Sequence, residues 1–200
     1  MKEYVIFGCG GHARSVAEVI LTNDETAQLV FVDEAAKPGE KIFGFNVLQK
    51  VDSKLHMAKI IALGDNALRK VMDERLGQPV QSVIAKDSYI SKEVYIGPGS
   101  FIGHEAYVGT LAKIGKNTIV NTRAIIEHEV EVGPYSQIAS GAIIGGRTKI
   151  GEGVFIGLGA KLIDGLEISS GTVIGAGAVV VDSIRTPGTY VGIPARRVGV

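Results

Sequence analysis

From Ile84 to Val180 every sixth residue is a branched aliphatic: twelve isoleucines, four valines and Leu162, without a break. No amphipathic helix has that period, because helices repeat near 3.6 residues, and no ordinary strand has it, because strands alternate at 2. A short strand followed by a turn does. Three such units close into one triangular coil, and stacked coils form a parallel β-helix. The aliphatic side chains then point into the prism and stack on their counterparts one coil away, each contributing roughly 1.5–3 kcal/mol when buried. Four positions further on stands a small or β-branched residue, as at Ser100, Ala106, Ala112, Thr118 and Ala124, which lets the chain turn the corner. Glycine often follows the aliphatic residue directly, as at Gly97, Gly103 and Gly115, and is expected to supply backbone freedom there. The register runs from residue 84 to 184 without an insertion, enough for five to six coils.

The segment before the repeat has a different pattern. EYVIF (3–7) reads as a buried strand and GCGGHARSVAEVI as a glycine turn feeding a helix that begins near His12. LVFVDE (29–34) reads as a second strand ending in Asp33 and Glu34. KIIALGDNALRKVM gives a third strand ending near Gly64 and a helix from about Asn66. This β-α-β-β-α order is a fragment of a doubly wound sheet. The expected division is a Rossmann-like half domain over 1–80 and an all-β, parallel β-helix with a C-terminal tail over 81–200. A glycine turn before a helix N-terminus can bind phosphate through free N–H groups, and an acid at the end of the second strand can accept from a ribose or base. Gly8-Cys9-Gly10-Gly11-His12-Ala13 departs from G-x-G-x-x-G at its last position, and only one nucleotide-binding half is present. A mononucleotide, or a nucleotide carrying a sugar, fits better than a nicotinamide dinucleotide.

Charge points to no particular macromolecular partner. Lys plus Arg and Asp plus Glu both total 21, so net charge gives no argument for nucleic acid or for a membrane surface. No apolar stretch approaches the roughly 20 residues that span a bilayer. The single cysteine, Cys9, fits a reducing compartment, and the N-terminus lacks the features of a signal peptide, so a cytoplasmic location is expected.

Of four histidines, His128 has the strongest surroundings. It follows the inward Ile126 by two, at a corner, with Glu127 and Glu129 on either side. A histidine with a carboxylate partner suits a general base near neutral pH. Gly145 and Gly146 fall one coil further on, where bare backbone could offer N–H groups to an oxyanion. Asn121 precedes His128 by seven and is expected close enough to orient substrate or imidazole. His104 is expected to face solvent or a neighbouring subunit, His56 lies in a polar stretch, and Cys9 packs under the glycine turn. A zinc centre is not expected. It would need three histidines, and His104 and His128, four repeat units apart, fall on different corners.

VIFGCGGHARSV, FVDE, ALGDNALRK, NTRAIIEHEVEVG, SGAIIGGRTKIGEGVFIG and VGIPARRV together resemble the NeuD/PglD-like sugar acetyltransferases over essentially the whole chain. The resemblance implies a left-handed β-helix, homotrimers, and transfer of an acetyl group from acetyl-CoA to an amino or hydroxyl group of an activated sugar or a sialic acid, without a metal. It implies His128 as base, Glu129 as its carboxylate partner and Asn121 in support. Gly10, Gly11, His12, Asp33, Glu34, Gly64 and Asn66 match the nucleotide-sugar pocket. Gln137, Gly146, Leu158, Gly175, Gly192, Pro194 and Arg196 match the acetyl-CoA cleft. Many members carry a second histidine where this chain has Gln137, which can donate a hydrogen bond but is no acid or base. The preferred acceptor is the 4-amino group of a UDP- or dTDP-linked amino-deoxy sugar. O-acetylation of a sialic acid, and a non-catalytic scaffold or nucleotide sensor, are the alternatives.

Overall fold

The structure, a computed structural model, describes residues 2–50 and 56–199. The N-terminal part runs β1 (Glu3–Phe7), α1 (Gly11–Asn23), β2 (Gln28–Val32), β3 (Lys41–Ile42), β4 (Phe45–Leu48), β5 (Ala58–Ile61) and α2 (Asn66–Leu76). The sheet order is β3-β4-β2-β1-β5, with β1 parallel to both β2 and β5. The β3–β4 hairpin is an addition to the order read from sequence. Its tight turn, Phe43-Gly44, has φ of 50° and 84°, as such a turn demands. Phe43 is not a usual residue for that conformation, which hid the hairpin in the sequence.

The helices are held in different ways. α1 buries Ala13, Val16, Ala17 and Ile20 on one stripe against the sheet. In α2 Asp65 caps the N-terminus by accepting from the Leu68 N–H, Gly77 closes the C-terminus in the left-handed region, and the one buried residue is Arg69.

The rest is the prism. Seventeen short strands, β6 (Val83–Ile84) to β22 (Val179–Val180), form three parallel sheets in which partners lie one full coil apart, as Ile126 with Ile144. The inward aliphatics from Ile102 to Val180 are buried and form one continuous core. Ile84 departs from the expectation of an inward position: it is 37% exposed, because no coil lies beyond it, and Val83 is buried instead. The end coil is also looser at Ile90 and Ile96, which are only partly buried.

The corner chemistry differs from the reading of the sequence too. The glycines that directly follow the aliphatic residue do not adopt positive φ. They are small because the next coil leaves no room: a Cβ on Gly115 would stand 2.5 Å from the Pro134 nitrogen. The left-handed residue comes two positions later and recurs at every sixth position from Glu93 to Gly177. At eight of these corners it is not glycine; Glu129 (φ 61°) and Arg147 (φ 58°) are two of them. Such residues cost about 1 kcal/mol or more of backbone strain.

The three outer faces have different characters. The first carries Val83, Phe101 and Ile119, which are buried under the N-terminal sheet and α1 in a second core. The second exposes Tyr89 stacked on Tyr107 (ring centroids 5.4 Å apart), then Ile125 and Ile143. The third alternates Lys113, Glu131, Lys149 and Glu167, with Lys113 paired to Glu131 at 3.0 Å. At the C-terminal end β23 (Thr189–Val191) extends the first face and β24 (Arg196–Val198) folds back on it, while buried Ala195 closes the prism core. We expect Ile114→Ala to cost about 2–5 kcal/mol and Ile84→Ala under about 1 kcal/mol, measured by urea unfolding.

Candidate active site

His128 sits at the corner between the second and third faces. The left-handed backbone at Glu129 turns its carboxylate back, so that Oε2 lies 2.9 Å from His128 Nδ1. The imidazole lies directly over Gly146: a Cβ there would come within 2.6 Å of both Cε1 and Nε2. Only glycine accommodates the ring in this position. The expected free N–H at this glycine pair is not free. Gly145 N–H donates to the Leu162 carbonyl, and Gly146 N–H donates to Asp164 Oδ1 at 3.1 Å.

The second cluster lies at the glycine turn. Gly8, at φ 118°, would place a Cβ 2.8 Å from the Ala62 carbonyl oxygen, so the close β1–β5 approach requires glycine. Gly10 and Gly11 face open space where a Cβ would stand. Gly10 is the N-cap of α1 with no side-chain hydrogen bond, and no acid occupies the first turn, so the leading N–H groups suit an anion. Asp33 is not left for a ligand alone: it accepts from the Cys9 N–H (3.1 Å) and the Ala35 N–H (2.9 Å), and so braces the turn. Glu34 pairs with Arg75 at 2.8 Å on the surface. Burial pushes the Cys9 thiol up to about 11, with Asp33 adding to it, which removes it as a nucleophile. His12 packs edge-on against Phe101 (5.0 Å), and burial, with the Arg69 charge, pushes it down to about 3. It is neutral at physiological pH and offers no cation to a phosphate.

Arg69 joins this turn to the prism. Its guanidinium donates to the carbonyls of Leu63 and Gly64 after β5, to Asn66 Oδ1, and to the carbonyls of Asn117, Tyr135 and Ser136 at the prism corner. Burial pushes its pKa down to about 10, which keeps it charged at pH 7. Asn66 Nδ2 donates to the Gly153 carbonyl beside it at 3.2 Å. Between α2 and the first face lies a cleft of about 960 Å³, lined by Gly64, Asn66, Lys70, Gln137, Glu152 and Phe155 among others. Lys70 and Glu152 pair across its wall at 2.6 Å.

Within one chain these clusters stay apart. Asn121 is at the corner between the first and second faces, with its Oδ1 taken by the Thr122 N–H. β13 (Ile125–Ile126) separates it from His128, so the expected proximity fails: the intervening stretch crosses a whole face. Leu158 (60% exposed) and Gly175 share the Asn121 corner, and a Cβ on Gly175 would meet Val191 at 2.7 Å. Gly192, Pro194 and Arg196 lie in and beside the exposed β23–β24 turn. His104 pairs with Asp87 at 2.8 Å on the first-to-second corner, and His56 is exposed. Among the described residues, no three His, Cys, Asp or Glu gather into a metal site, and no helix is long and apolar enough to cross a membrane.

Residues 3–76 match the PglD N-terminal domain, and residues 111–146 match the bacterial transferase hexapeptide, six repeats. The acetyltransferase domain of PglB from Neisseria gonorrhoeae is 29% identical, with 99% of this chain and 100% of that one covered and a TM-score of 0.91. Both halves of the chain are thus similar to the NeuD/PglD-like acetyltransferases. The chain is therefore an acetyltransferase built on a left-handed β-helix behind an α/β domain. A further solved structure, a mutant of the GDP-perosamine N-acetyltransferase of Caulobacter crescentus in complex with CoA and GDP-perosamine, is 27% identical at a TM-score of 0.91, over 100% of this chain and 98% of that one. WeeI from Acinetobacter baumannii is 25% identical at 0.77, over 99% and 100%. No curated protein sequence matches the chain.

Sequence did not find Lys70, Glu152 and Phe155 in the cleft lining, nor the buried Arg69 that braces it. The signal for one was present, because Phe155 stands one coil beyond Gln137 and pairs with it in the same sheet. Arg69 and Lys70 had none, since a charge on a short helix reads as solvated. Two outcomes follow for the N-terminal part. Stability should be undiminished by His12 above pH 6.5. As the pH falls below 6.5 the unfolded chain takes up a proton that the folded chain refuses until about 3, so stability declines by about 1.4 kcal/mol per unit. His12→Gln should remove that part of the slope in melting curves between pH 7 and 5. Arg69→Lys, which keeps a charge but not the fan of donors, should cost about 2 kcal/mol or more and speed hydrogen exchange in α2.

Proposed function

We propose that the protein transfers the acetyl group of acetyl-CoA to the 4-amino group of an amino-deoxy sugar carried on a nucleoside diphosphate. The observation that carries the reading is the His128–Glu129 pair, 2.9 Å apart, with the imidazole seated on Gly146. The likeness to a GDP-perosamine N-acetyltransferase supports an amino sugar as acceptor. It leaves UDP, dTDP and GDP as carriers, with the nucleotide held by Gly10, Gly11, His12, Asp33, Glu34, Gly64 and Asn66. The leading N–H groups of α1 take the diphosphate, and neutral His12 serves as a wall or a single hydrogen-bonding partner.

In the reaction the sugar amine attacks the thioester carbonyl carbon. The new C–N bond forms, the C–S bond breaks, and the amine proton passes to His128 Nε2 and from there to the departing CoA thiolate. Glu129 on Nδ1 keeps Nε2 free to accept and stabilises the imidazolium. A base so placed contributes roughly 10²–10⁴ in rate. Gln137 lines the cleft where the sugar would lie and holds it by hydrogen bonds, taking no proton.

The separation of the two clusters within one chain calls for a second copy. The first face is covered by the N-terminal part and the third carries alternating charges, which leaves the apolar second face for subunit contact. A homotrimer closed through that face brings the His128 corner of one copy toward the cleft of the next. The acetyl-CoA then lies in the seam, among Gly146, Leu158, Gly175, Gly192, Pro194 and Arg196, with Asn121 supporting the site across it. A cytoplasmic location goes with this reading, since acetyl-CoA and nucleotide sugars are made there.

The test is CoA-thiol release from acetyl-CoA with UDP-, dTDP- and GDP-linked 4-amino-deoxy sugars and with sialic acids. Turnover with an amino sugar is expected, falling roughly 10²–10⁴-fold in His128→Ala and comparably in Gly146→Ala, which pushes the ring away. Turnover with sialic acid alone would move the reading to O-acetylation. Activity unchanged in His128→Ala would remove the base.

A further inference from the structure

Three backbone N–H groups lie in the turn beside the imidazole, and their partners differ in kind. Gly145 N–H is fixed to the Leu162 carbonyl and Arg147 N–H to the His128 carbonyl, both within the ladder that joins successive coils. Gly146 N–H alone is held by a side chain, Oδ1 of Asp164, one coil further on at the same corner. Gly146 is also the residue whose Cα faces Nε2 and Cε1 of the ring. It therefore carries the one backbone donor next to the proposed base that a carbonyl oxygen could claim by moving a side chain instead of breaking the prism.

Asp164 has a place to go. Its other oxygen, Oδ2, lies 3.4 Å from Arg147 Nη2, and both side chains are more than half exposed. At that length the pair is weak and loosely aligned, so the carboxylate stands between two partners, one short and one long. A carboxylate on a backbone N–H is a charge-assisted bond, so a thioester carbonyl displaces it only if the carboxylate gains elsewhere. The Arg147 guanidinium, able to take both oxygens, supplies that gain.

We propose that Asp164 is a positioning residue for the acyl donor. In the free enzyme it occupies the Gly146 N–H, and when acetyl-CoA binds it swings onto Arg147 and yields that N–H to the thioester carbonyl oxygen. The inference rests on the acetyl-CoA reading above and adds a step to it. The carbonyl enters beside His128 only when the carboxylate has left, and in the empty site the charge next to the imidazole keeps the donor N–H occupied. Asp164 acts through Gly146 and Arg147 and touches neither reacting atom.

The experiment is calorimetric titration of the full-length protein with CoA and, separately, with acetyl-CoA, without acceptor, because only the acetyl form carries the carbonyl. Wild type should bind the two within about twofold. Asp164→Ala should bind acetyl-CoA five- to tenfold more tightly than CoA, and leave CoA affinity within twofold of wild type. Arg147→Met should raise the KM for acetyl-CoA several-fold with the KM for the sugar unchanged, and should have no such effect in the Asp164→Ala background, since a partner is needed only while there is a carboxylate to receive. Asp164→Asn, which keeps the shape but weakens the acceptor, should shift acetyl-CoA affinity in the same direction by less. It serves if the alanine variant does not fold. Equal binding of acetyl-CoA and CoA by a folded Asp164 variant, or an additive effect of Arg147→Met, overturns the proposal. Binding of neither ligand to wild type overturns the acetyl-CoA reading on which it stands.

Discussion

Close approach of successive coils governs everything else in this chain. The inner aliphatics can stack only if the corners let the backbones come together, and the corners do so by two separate means. A glycine stands where a Cβ would strike the next coil, 2.5 Å from backbone at Gly115, and two positions later the chain passes through the left-handed region. The first requirement is absolute, because the obstacle is backbone. The second is soft: eight corners meet it with residues that carry side chains, each at a modest strain. The candidate site's side chains stand at the soft position and beside it. His128 and Glu129 form a pair because one residue of the corner is left-handed, which folds the two side chains toward each other instead of splaying them.

The N-terminal part depends on a different interaction. α2 has almost no apolar stake in the fold, and one guanidinium ties it down by six hydrogen bonds, three to the turn after β5 and α2 and three to the prism corner. All the acceptors are neutral. A buried charge satisfied by carbonyl dipoles holds both sides only while they keep their spacing, since withdrawal of either leaves it short of partners. The floor of the cleft and its roof are therefore set by one side chain.

Much of this was legible in the chain. The prism was, because a period of six held over seventeen positions admits one architecture, and so was the His128–Glu129–Gly146 set, because steps of three repeat units map sequence directly onto neighbours in space. What sequence could not carry were the things that depend on direction. Asn121 lies close to His128 in sequence but around a corner, and Ile84 keeps the repeat but has no coil above it. Gly146 was found as bare backbone, yet its N–H has an owner in Asp164, again one coil away. Arg69 leaves no periodic trace, since its partners are carbonyls, which every residue has. The β3–β4 hairpin escaped because Phe43 fills a left-handed turn position by tertiary constraint and not by preference.

The corner that carries His128, Gly146 and Asp164 is also a ruler. Its divisions are the spacing of neighbouring strands, about 4.8 Å. Each division corresponds to three repeat units of sequence, with no change in the core that supports it. A group moved by one division keeps its backbone environment and shifts only in height, so this scaffold changes reach in whole steps. Lengthening the prism by one coil between the N-terminal junction at Phe101 and the corner of His128 would leave every inner contact of the same kind while carrying the imidazole one division away from the cleft beside α2. Distance between the two halves of the site is thus a counted quantity, set by the number of repeats that separate them.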